Sequence, residues 1–78
     1  VRKYAMQGSD KERYQNGAAF SLQKKEAKGT YQPIDSQTTN ENGLASFDSL
    51  TPGKYRVVET AGRAGYETKP GNYEFQNH

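Results

Sequence analysis

Turn-forming residues interrupt this chain every roughly eight to fifteen residues, and the segments between them are too short for a long helix. The interruptions fall at Gly8-Ser9-Asp10, Asn16-Gly17, Lys28-Gly29, Asn40 to Gly43, Thr51-Pro52-Gly53, Gly62 to Gly65 and Lys69-Pro70-Gly71. Gly43 and Gly53 permit the positive φ of tight turns, and Pro52 presets φ ahead of Gly53. Such a rhythm predicts a small all-β domain, a sandwich or a barrel.

Between the turns run short alternating segments. Val1, Lys3 and Ala5 share one face of a first strand. Phe20 and Leu22 share a face of the second, with Ala18 before them. Thr30 to Ile34 reads as a third strand, placed at a sheet edge by Pro33, which cannot donate to a ladder. Leu44 to Phe47 is a fourth. Tyr55, Val57 and Glu59 alternate with Lys54, Arg56 and Val58, and Tyr73, Phe75 and Asn77 alternate with Asn72, Glu74 and Gln76. The expected core is Phe20, Leu22, Phe47, Leu50, Tyr55 and Val57. Phe20 to Ala27 is the nearest approach to a helical period, but the preceding Asn-Gly and the following Gly29 favour a strand entering a hairpin.

Composition narrows the function. The 78 residues make one domain, 1–78, and read as a piece excised from a longer multidomain protein. Only 31% are apolar, yet six Tyr and three Phe provide large rings for a core, which sets the chain apart from disordered sequences. There is no cysteine to form a staple or a thiolate metal site, and His78 is the single histidine. The net charge of +2 comes from scattered side chains and calls for neither nucleic acid nor an anionic membrane. Asp10, Asp35 and Asp48 sit in separate turns, where turn formation explains them and no metal is required. No nucleophile triad, phosphate loop or cofactor motif is present in these residues, so the chain is read as a non-enzyme.

Four segments, in order, resemble the Cna protein B-type family, the SpaA-like or prealbumin-like domains of Gram-positive adhesins and pilins. They are Gly17-Ala18-Ala19-Phe20-Ser21-Leu22, Thr39 to Phe47, Leu50 to Thr60 with its Pro-Gly-x-Tyr and Glu-Thr, and Ala64-Gly65-Tyr66-Glu67. The resemblance implies an immunoglobulin-like (prealbumin-like) β-sandwich of about seven short strands. It implies a monomeric stalk or spacer domain of a cell-wall-anchored adhesin or pilus protein, extracellular and at the cell surface. Its partners would be neighbouring domains of the same surface protein and, through the parent protein, host extracellular matrix.

Many members of that family close themselves with a Lys–Asn isopeptide bond that needs no other enzyme, and the resemblance extends this chemistry to named positions. A lysine attacks only when neutral, a state that burial favours. A buried glutamate kept protonated hydrogen-bonds the amide carbonyl and relays protons as ammonia leaves. Glu59, in phase with Tyr55 and Val57, is the implied promoting residue, acting once and without turnover. Lys3 is the implied nucleophile, with Gly8 to Gln15 an enlarged loop. Three readings of the acceptor stay open: Asn77 itself, a residue beyond position 78, or no bond at all. A crosslink from Lys3 to Asn77 would remove about 4 kcal/mol of denatured-state entropy by the chain-entropy model.

A competing reading makes the chain an adhesion module that itself contacts host matrix or glycan, with Tyr14, Tyr31 and Arg63 as exposed contact residues. Direct binding by the isolated domain separates the two.

Overall fold

The computed structural model describes the backbone of residues 2–7, 11–68 and 71–78 and the side chains of residues 13–68 and 71–78. In chain order the elements are β1 (Arg2–Gln7), a single helical turn α1 (Lys11–Tyr14), β2 (Ala19–Lys25), β3 (Tyr31–Thr38), β4 (Leu44–Leu50), β5 (Gly53–Ala61) and β6 (Asn72–Asn77). The all-β reading holds, with six strands among the described residues where about seven were expected. The enlarged loop expected between Gly8 and Gln15 contains α1.

β1 and β4 pair antiparallel as one sheet, and β3, β2, β5 and β6 lie side by side in that order as the other. Their inward side chains meet in a single core of Ala18, Phe20, Leu22, Ala45, Phe47, Leu50, Tyr55 and Val57, with Tyr14 and Phe75 packed against its margin. All six residues expected in the core are there. Ala18 and Ala45, both fully buried, join them. β3 takes the sheet edge that Pro33 required, and it extends to Thr38.

Three register shifts interrupt the described ladders, one of them between β2 and β3 at Leu22 and Gln23; the other two bear on which side chains face inward. Between Arg2 and Tyr4 the β1 register slips, so that Arg2 faces Leu50 and Tyr4 faces Phe47. Ser49 supplies the extra residue on β4 with φ of 61°, which is why Phe47 and Leu50, three apart, both point into the core. On β5 a second slip places Ala61 opposite Ala19 and Glu59 opposite Phe20.

The segment from Thr39 to Leu44 is closed by its own side chains. Thr39, 5% exposed, accepts at Oγ1 from the N–H groups of Gly17 (3.2 Å) and Ala18 (3.0 Å). The Asn40 carboxamide oxygen accepts from the N–H groups of Asn42 (2.8 Å) and Leu44 (3.0 Å), an Asx-type turn completed by Gly43 at φ 76°.

Candidate functional site

Glu59 lies on β5 in the inward phase of Tyr55 and Val57, as its spacing predicts. Those two are 1% and 2% exposed, whereas Glu59 is half-buried. Glu59 stands near the end of the strand, beside the slip at Thr60, and the residues after it, Thr60 and Ala61, are exposed. Three residues beyond Glu59, Gly62 leads into a tight turn closed by the Tyr66 N–H donating to the Arg63 carbonyl at 2.8 Å, and the chain folds back on Gly62. A side chain there would press on the carbonyl oxygens of Tyr66 and Glu67, at 2.5 and 2.8 Å from its Cβ. Tyr66 sits between the guanidinium groups of Arg13 and Arg63, 5.9 and 6.0 Å from its ring centre, and Arg13 donates to the Glu67 carbonyl at 2.8 Å. The end of the sandwich that carries Glu59 is thus built from α1 and the 62–68 loop, two segments far apart in sequence.

Lys3 lies in β1, between Arg2 opposite Leu50 and Tyr4 opposite Phe47. Its side chain lies outside the described residues.

Asn77 is inward-facing, as its phase predicts, and is 9% exposed. Its amide nitrogen donates to the carbonyls of Leu50 (3.2 Å) and Thr51 (3.0 Å), tying β6 to the β4–β5 turn. The Tyr55 hydroxyl also donates to the Thr51 carbonyl, and Lys24 Nζ donates to the Thr51 hydroxyl at 2.6 Å. Asn77 stands opposite Gly53, six residues along β5 from Glu59. At a rise of about 3.4 Å per residue, that separates the two by about 20 Å along the strand. The register does not bring Asn77 to Glu59. At that opposite end of the sandwich the Asn77 amide clamps β6 to the β4–β5 turn.

The three side chains expected to be exposed for binding are all half-buried. Tyr14 packs on the core margin and stacks on Phe20 with ring centres 6.1 Å apart, so it serves packing. Tyr31 lies under the Arg56 guanidinium, 4.3 Å from its ring centre. Arg63 belongs to the Tyr66 cluster. Sequence reasoning overlooked Thr39, Thr51 and the Arg56–Tyr31 pair. Only the Thr39 position carried a local signal, the Thr-Asn preceding an Asn-Gly turn. Among the described residues no group of three or more His, Asp or Glu side chains is arranged to hold a metal.

The family model for SpaA, a prealbumin-like fold domain, matches residues 6–77. The chain belongs to the SpaA prealbumin-like fold domain family. Its two-sheet architecture agrees with that fold, and the matched span takes in Glu59 and Asn77 while Lys3 precedes it. No curated protein matches the chain. SpaA domains occur in surface proteins and are typical of the stalks of Gram-positive pilins and adhesins; they are structural modules. Among the described residues no helix is long and apolar enough to cross a membrane.

Proposed function

We propose that this SpaA domain is a monomeric spacer in the stalk of a cell-wall-anchored adhesin or pilus protein, set between neighbouring domains of the same chain. The observation that carries the reading is the family match on an elongated two-sheet body measuring 38 × 23 × 17 Å. A rod of that shape adds length between an anchor and a tip, and any contact with host matrix is made by the parent protein. Sedimentation of the purified domain tests the first part: an asymmetric monomer is expected, and a stable dimer overturns it.

Within that role, a single self-formed amide crosslink is proposed in which the Lys3 amine attacks the Asn77 side-chain amide. One C–N bond forms and ammonia leaves, carrying the proton that the amine releases. Lys3 stands next to Arg2, which faces Leu50, and the Asn77 amide donates to the Leu50 carbonyl, so both lie at one end of the sandwich. Intact mass and peptide mapping of the parent surface protein provide the check. The expected result is a branched peptide joining Lys3 and Asn77, lighter by one ammonia, which Asn77→Ala abolishes. An unmodified Lys3 peptide in the wild-type protein overturns it.

A further inference from the structure

The outer face of the four-stranded sheet, opposite the core, carries a recess of about 200 Å³ lined by Tyr31, Lys54, Tyr55, Glu74, Phe75 and Gln76. Register explains how it is built. Lys54 stands opposite Gln76 and Arg56 opposite Glu74, each in the phase that alternates with buried Tyr55 and Val57. These four side chains therefore leave the sheet on its solvent side. Tyr31 enters from the start of β3 and contributes its ring.

That ring is fixed before any ligand arrives. The Arg56 guanidinium lies 4.3 Å from its centre, and Arg56 Nε donates to Gln23 Oε1 at 2.7 Å. A ring held in this way loses little rotamer freedom on contact with a ligand. Lys54, Glu74 and Gln76 are exposed, and among the described residues none of their side chains makes a hydrogen bond or ion pair within the fold. The recess thus gathers a donor-only ammonium, an acceptor-only carboxylate and an amide offering both, all with unused capacity, around an immobilised aromatic ring.

We infer that this recess binds a neutral saccharide residue. The +1 of Lys54 and the −1 of Glu74 cancel, so the site favours neither an anion nor a cation. Interleaved donors and acceptors match the hydroxyl groups of a sugar, which both donate and accept. A fixed tyrosine ring is suited to the apolar C–H face of a pyranose. The volume is below the roughly 300–1,000 Å³ of sites for drug-sized ligands, and it suits a single ring. The inference is independent of the spacer role, because the recess lies on the outer sheet face and involves neither Lys3 nor Glu59.

The test is a titration of the isotopically labelled 78-residue protein with methyl glycosides of neutral hexoses and N-acetylhexosamines, followed by amide chemical shifts. Saturable shifts are expected at Tyr31, Lys54, Glu74 and Gln76, with a dissociation constant of about 1 mM or weaker, as suits a shallow site. Tyr31→Ala is expected to weaken binding roughly five- to tenfold. Lys54→Ala, at an exposed position that does not endanger folding, weakens it as well, whereas Gln37→Ala, elsewhere on β3, leaves it unchanged. The inference is overturned if no glycoside shifts these amides at concentrations of tens of millimolar, if the shifts fall elsewhere, or if only charged peptides produce them.

Discussion

Asn77 directs its amide nitrogen at two backbone carbonyls, Leu50 and Thr51, so its value lies in donating. A carboxylate of the same shape cannot donate and would face both oxygens. Asn77→Asp is therefore expected to cost about 1–3 kcal/mol, the range for a buried polar group left with a mismatched partner. A fall in the urea midpoint checks this, and an unchanged midpoint would remove the clamp. Thr39 is the mirror case, an acceptor at the centre of two N–H groups. Thr39→Val keeps the shape, leaves the Gly17 and Ala18 donors unpaired, and should cost about 1–3 kcal/mol in the same assay. Phase alone placed Asn77 and Glu59 on the inward face. Phase could not say that one lies beside the β4–β5 turn and the other at the far end of β5, because those positions follow from strand register.

At the scale of elements, bulges and turns do the directing. Ser49 adopts φ of 61°, a conformation that β-branched residues resist. Ser49→Val should destabilise by about 1–3 kcal/mol, whereas Ser49→Gly should be neutral or slightly stabilising. Thermal melts of the two variants check the difference, and equal melting temperatures would mean that the bulge carries no strain. Gly62 is constrained by space: Gly62→Ala brings a methyl against two backbone oxygens that cannot rotate away. The 62–68 loop should then shift, with changed amide signals at Tyr66 and Glu67 while the β2–β5 ladder signals persist. Strand identities were legible, since alternation and Pro33 located β2, β5, β6 and the β3 edge. The extension of β3 to Thr38 was not. Its residues from Gln32 onward are exposed, so no buried face imprints a pattern there.

For the whole molecule, the two-stranded sheet covers only part of the four-stranded one. Tyr73, inward by phase on β6, is consequently 51% exposed, while Phe75 beside it stacks on Tyr55 with ring centres 5.4 Å apart. The core is small, and its large, fully buried side chains are Tyr55, Phe47 and Leu22. Phe47→Ala is expected to cost about 3–5 kcal/mol. Against a stability of about 5 kcal/mol, the low end for small domains, that leaves the fold barely populated. Loss of amide dispersion in the variant's spectrum at 37 °C checks it; a well-dispersed spectrum would show that other contacts hold the sheets together.

Sequence alone determined the strand rhythm, the six large core residues and the turn chemistry, because these depend on local φ preferences and on an alternation that any half-buried strand must show. Tertiary structure alone decided what the polar inward residues do. It set Glu59 half-buried at one end of the sandwich and Asn77 at the other as a clamp on Thr51. It also gathered Tyr31, Lys54, Glu74 and Gln76, from three strands, around one recess. Such assignments depend on register and sheet order, which follow from how the two sheets pack together and leave no mark on any single segment.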